Sequence, residues 1–195
     1  MITGSDIAVV IPTIPPRTGL LQRAIASVQA QILPAGAISV AVDTERRGAA
    51  GTRADALQAV VAARRPWVAF LDDDDEFLPT HLQELAAHAE ETEADFVFSW
   101  FDTVPLGCDP FPPVFLTEPW HPETPRHTTI TVMVRTELAQ QVSFDLRAST
   151  PEFANEDWAF ILECNRLGKI SHLCNRKTWL WHHDSHNTSG LPTRW

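Results

Sequence analysis

Five acids in a row, Asp72-Asp-Asp-Asp-Glu76, stand directly behind the apolar run Trp67-Val-Ala-Phe-Leu71. An apolar run of this length reads as a buried strand, so the acids surface where that strand ends. Five neighbouring carboxylates repel one another, and their place at the end of a buried strand points to a cation that gathers them. A solvated acidic turn is the plain alternative. Asp72 and Asp74 lie two apart on an extended segment and point the same way, which places both to reach one hard cation.

The flanking sequence repeats the strand-then-helix pattern. Ile7-Ala-Val-Val-Ile11 is an apolar run stopped by Pro12, and from Thr18 onward Leu20, Leu21, Ala24, Ile25, Val28 and Ile32 recur at helical spacing, with Thr18 as cap. Ile38-Ser-Val-Ala-Val42 ends at Asp43, and a second helix follows carrying Leu57, Val60 and Val61. After the acids, Pro79 precedes a third helix with Leu82, Leu85, Ala86 and Ala89 inward, and Asp95-Phe-Val-Phe-Ser-Trp-Phe101 makes a fourth strand closing at Asp102. Such units form an α/β sheet with right-handed crossovers, and ligands bind at the carboxyl ends of its strands. The second half is less regular. Residues 102–127 hold seven of the fifteen prolines and read as a long loop that lines or covers a site. An apolar run at 130–134, a helix from Asn155 to Leu167 and a short strand at 178–181 follow.

Charge and cysteine usage narrow the function classes. With 15 basic and 25 acidic residues the formal charge is −10, which disfavours nucleic acid and anionic membranes as partners. Three cysteines without a CxxC pair fit a reducing compartment, so the cytoplasm is the expected address. No apolar run approaches the ~20 residues of a membrane helix, so no membrane anchor is expected. One domain spanning 1–195 is expected.

Three metal chemistries suit a strand end of this kind. Aspartate-nucleophile phosphohydrolases want a Gly-Thr turn and a lysine nearby, whereas Asp75-Glu76 follows here and the only lysines are Lys169 and Lys177. Nucleotidyl transferases want two metals and usually a glycine-rich phosphate cradle, which the chain lacks. Sugar transfer from a nucleoside diphosphate needs one metal on the diphosphate and matches a single Asp-x-Asp pair.

The segments Val9-Val-Ile-Pro-Thr13, Val42-Asp43, Gly48-Ala-Ala-Gly-Thr-Arg53, Phe70-Leu-Asp-Asp-Asp-Asp75, Asn155-Glu-Asp-Trp158 and His186-Asn-Thr-Ser189 together resemble the inverting nucleotide-sugar glycosyltransferases of family 2. That resemblance implies a GT-A, Rossmann-like α/β sandwich with a mostly parallel central sheet and helices on both faces. Residues 1–101 would form its nucleotide-sugar half and 102–195 its acceptor and base half. It puts Pro12, Thr13 and Asp43 on the base and ribose, Arg17 and Arg53 near the nucleotide, and Asp72 and Asp73 in the Asp-x-Asp motif. Asp74 is the expected direct metal ligand, with Asp72 beside it. Asp157 is the expected catalytic base, with Glu156 next, and a helix N-terminus favours the ionised carboxylate there. A histidine near the C-terminus is implied at the metal, His183 ranking before His186, and His182 stands beside them. A neutral imidazole beside carboxylates selects Mn²⁺, with Mg²⁺ the alternative. Asp102 faces the same cleft by topology and is expected on the nucleotide-sugar side, holding donor or acceptor hydroxyls, and Trp120 is the expected sugar contact.

The resemblance implies transfer from a nucleoside-diphosphate sugar, a UDP-sugar being the expected donor, to a sugar or protein hydroxyl with inversion, in a compact stand-alone enzyme of bacterial or phage type. A catalytically silent sugar-nucleotide or glycan-binding module and a metal-dependent phosphohydrolase are the competing functions.

Overall fold

The computed structural model describes residues 1–106, 111–126, 128–142, 144 and 156–182. One seven-stranded sheet runs through it in the order β2-β1-β3-β6-β5-β7-β4. The strands are β1 (Ile7–Thr13), β2 (Ala37–Val42), β3 (Trp67–Phe70), β4 (Glu76–Phe77), β5 (Phe96–Val104), β6 (Met133–Arg135) and β7 (Ile170–His182). The helices are α1 (Thr18–Gln29), α2 (Gly48–Ala62), α3 (His81–Thr92), the short α4 (Val114–Thr117), α5 (Thr136–Gln141) and α6 (Glu156–Leu167). Strands β2, β1 and β3 are parallel, and so are β5 and β7; β6 and β4 run against their neighbours.

Alternation along each central strand explains the two buried faces. Ala8 and Val10 of β1, with Val68 and Phe70 of β3, face one core shared with α2, α5 and α6. Ile7, Val9 and Ile11, with Trp67, Ala69 and Leu71, face a second core under α1 and α3. A strand covered on both sides must be apolar at every position, which is why these two runs are continuous in the sequence.

The crevice arises because β1 outlasts β3. β1 pairs with β3 only as far as Val10 and Phe70, yet it stays paired with β2 to Thr13. Pro12, which has no N–H, therefore sits where no β3 partner is asking for one. β3 stops, the chain turns, and the acids emerge beside the free end of β1.

The structure differs from the sequence expectation in several places. Of the apolar run at 130–134, only Met133 and Val134 enter a strand, the short β6, which lies antiparallel between β3 and β5. β7 is thirteen residues long, not four, because its middle is polar and exposed and gives no apolar run to read. Thr18 opens α1 rather than capping it, and its hydroxyl donates to Pro15 O instead. Among the described residues, no helix is long and apolar enough to cross a membrane.

Helix α6 is fixed by aromatic packing. Phe160 stacks on Phe144 with centroids 4.3 Å apart, and both meet the edge of Phe70 on β3. Replacing the fully buried Phe160 by Ala is expected to cost ~3–5 kcal/mol in denaturant unfolding. A loss below about 1 kcal/mol would mean that this cluster does not hold α6.

Candidate active site

The acid segment is a turn, not an extended strand end. Asp75 N–H donates to Asp72 O at 3.1 Å, and this reversal brings the carboxylates of Asp72, Asp74 and Asp75 together, with one oxygen of each within 4.8 Å of the others. Asp75 was not among the expected ligands. The signal lay in the fourth consecutive Asp, which an extended chain would have turned away but a four-residue turn brings back.

Each acid has its own cation or donor. Asp73 is buried; Thr13 Oγ1 donates to its Oδ2 at 2.6 Å and Arg17 Nη1 to its Oδ1 at 2.7 Å. Arg17 also reaches Asp74 Oδ2 at 3.2 Å. Arg23 of α1 donates to the Asp74 carbonyl at 2.6 Å and pairs with Glu76, a clamp that the sequence reading missed because it used only the apolar face of α1. The His182 backbone N–H donates to Asp75 Oδ1 at 3.0 Å, and the His182 ring lies 2.7 Å from Glu76 Oε1, so the end of β7 is pinned to the turn. Burial, joined by the neighbouring acids, pushes the Asp74 carboxyl up to about 7 and that of Asp75 well above its ordinary value.

Arg53 joins this turn to the start of α6. Its side chain is 3% exposed; Nη2 donates to Asp72 Oδ1 and Nη1 to Asp157 Oδ1, both at 2.6 Å, with Glu156 Oε1 3.5 Å from Nη1. Asp157 is nonetheless pushed up to about 7, chiefly by burial, with Glu156 and Asp72 adding to it against the pull of Arg53. Arg53 thus binds acids rather than standing free for a ligand.

Of the remaining expected residues, Pro12 and Thr13 are buried at the end of β1. Asp43 is buried too, and its two oxygens accept the backbone N–H groups of Arg47 and Gly48, which fastens the loop leading into α2. Asp102 pairs with Lys177 Nζ at 2.8 Å in an exposed ion pair on β5 and β7. Trp120 is corrected: it is 8% exposed, packs edge-on against Phe98, and its indole N–H donates to Asn165 Oδ1 at 2.7 Å, so it fills the core rather than meeting a sugar. His183 and His186 lie outside the described residues.

The three clustered carboxylates are a hard, oxygen-only set, the type that suits Mg²⁺ or Mn²⁺. Asp74 and Asp75, whose pKa values are raised by burial and mutual repulsion, are groups that a cation would relieve.

The chain belongs to glycosyl transferase family 2, whose sequence model matches residues 23–146. The match stops short of Glu156–Asp157 and begins after Arg17. Similar solved structures include S. aureus TarS 1–349, at 18% identity and a TM-score of 0.73 over 90% of this chain and 60% of that one. TarS 1–349 in complex with UDP-GlcNAc gives 0.74 over 95% and 60%, also at 18% identity. A197 from STIV is more distant, at 13% identity and a TM-score of 0.53, covering 87% of this chain and 82% of that one. This chain thus spans about 60% of the TarS chain of 349 residues. These likenesses establish the GT-A fold. No curated protein sequence matches the chain.

The acid cluster predicts a linkage between pH and metal. A carboxyl whose folded pKa is raised binds its proton more tightly when folded, so metal-free stability should fall as pH rises from about 4 towards 7. Mn²⁺ should therefore raise the melting temperature more at pH 8 than at pH 5.5. An equal shift at both values, or none, would contradict the cluster as a cation site.

Proposed function

We propose that the protein is a metal-dependent, inverting glycosyltransferase that moves a sugar from a nucleoside-diphosphate sugar to an acceptor hydroxyl. The observation that carries this reading is the span of Arg53 from Asp72 to Asp157. It holds a carboxylate of raised pKa at the rim of an acid cluster suited to a cation.

Asp157 accepts the proton of the acceptor hydroxyl as its oxygen attacks the anomeric carbon. The bond to the diphosphate breaks on the opposite side, so the configuration inverts in one displacement. A pKa near 7 suits this role, since a general base works best when its pKa lies close to the working pH. Asp72, Asp74 and Asp75 would hold a divalent cation, Mn²⁺ in the first instance, which would supply positive charge to stabilise the leaving diphosphate. Glu156 stands next to the base, repels its ionised form and shares its arginine. The crevice beside Pro12, Thr13 and Asp43 is the proposed seat of the base and ribose, at the carboxyl ends of β1 and β2. Asp102 and the chain beyond it are proposed for the acceptor, a sugar or protein hydroxyl. The TarS complexes with UDP and UDP-GlcNAc support a UDP-sugar as the donor to try first.

Asp157→Asn is expected to lower turnover by ~10²–10⁴-fold while Mn²⁺–UDP still stabilises the protein in a melting assay. In the wild type, turnover should rise with pH through about 7, because the base must lose its proton, and the variant should lack that rise. Loss of nucleotide binding in the variant would mean that Asp157 serves the donor instead. If no nucleoside diphosphate stabilises the wild type with Mn²⁺, the transferase reading itself fails.

A further inference from the structure

At the amino-terminal end of β3, opposite the acid turn, a cleft of about 290 Å³ opens among Arg64, Arg65, Arg135, Thr136, Glu137 and Gln140. In a chain of formal charge −10, three guanidinium groups here face Glu137 and Asp95, the latter paired with Arg135, which leaves the cleft locally basic.

The arginines are incompletely neutralised. Arg64 is exposed and has no ion-pair partner among the described residues. It follows α2 at φ +53°, where its N–H bonds Val61 O at 2.9 Å and the Arg65 N–H bonds Val60 O at 3.3 Å. Glycine normally takes this helix-ending position, because a side chain there is sterically disfavoured. Arg65 donates to the carbonyls of Ser5 and Gly36, which are neutral acceptors, and its Nε is buried without a partner. Asp6 acts on Arg65 only at longer range. Arg135 gives its Nε to Asp95 at 2.9 Å and lies over the Trp67 ring.

Thr136, the first residue of α5, also lines the cleft and is 7% exposed.

We propose that this cleft binds a phosphate group, carried either on a small soluble molecule or on a lipid headgroup. Phosphate offers oxygens in several directions, which suits separate guanidinium groups better than a planar carboxylate does. The cleft also has room for more than the bare ion, so a phosphate ester fits it. This site is separate from the transferase site, and its failure would leave that reading untouched.

The test is a ¹⁵N-NMR titration of the full chain with inorganic phosphate and then glycerol 3-phosphate, at low salt with EDTA. The chelator keeps the acid turn free of metal and so repulsive to anions. Saturable shifts are expected at the amides of Arg64, Arg65 and Thr136. Arg64→Gly removes one cation at a position where glycine is at ease, so the melting temperature should hold or rise while phosphate affinity falls about tenfold or more. Equal affinity in wild type and Arg64→Gly, or shifts confined to other residues, would overturn the proposal. Co-sedimentation with phosphatidic acid vesicles but not phosphatidylcholine vesicles, lost in Arg64→Gly, would assign the phosphate to a headgroup. Binding of the soluble phosphates alone would assign it to a free ester.

Discussion

A single buried guanidinium among three carboxylates ties the acid turn to the start of α6. Arg53 leaves α2, reaches Asp72 at the end of β3, and meets Asp157 and Glu156 at the start of α6. Burying an arginine costs several kcal/mol unless its partners are close and well aligned, so the arrangement persists only because each acid is already in place. The turn at 72–75 fixes Asp72, and the Phe70, Phe144 and Phe160 cluster fixes α6. The fold thus delivers a potential base to the edge of a potential cation site through one side chain.

The same logic of charge orders the rest of the site. Arg17 and Arg23 come from the α1 side and neutralise Asp73, Asp74 and Glu76, while β7 contributes a backbone N–H and an imidazole. Three arginines therefore share the acid run, yet the cluster of Asp72, Asp74 and Asp75 still holds carboxyls whose pKa values are raised. That residual imbalance is what a divalent cation would correct.

Much of this could be read from the residues alone, and the failures have physical causes. β1 and β3 were legible because both faces are buried, which leaves an uninterrupted apolar run. β6 has three residues, and β7 carries Asn175, Arg176 and Lys177 in its middle, so neither shows a strand's pattern. The acid run announced a site, but its turn did not, and with it Asp75 was missed. Trp120 stands in the proline-rich stretch, yet its partner Asn165 lies 45 residues further along the chain, where no local pattern shows the pairing. Arg53 had a signal that was there to read: it stands four residues before Leu57, on the buried stripe of α2, where a charge implies buried partners.

The central claim is that Arg53 of α2 and Asp157 of α6 act as one unit. A double-mutant cycle measures this directly: denaturant unfolding of the wild type, Arg53→Gln, Asp157→Asn and the double variant in metal-free buffer. The structure predicts a coupling of about 1–3 kcal/mol, the double variant losing less than the two single losses combined. Additive losses, with a coupling near zero, would contradict it.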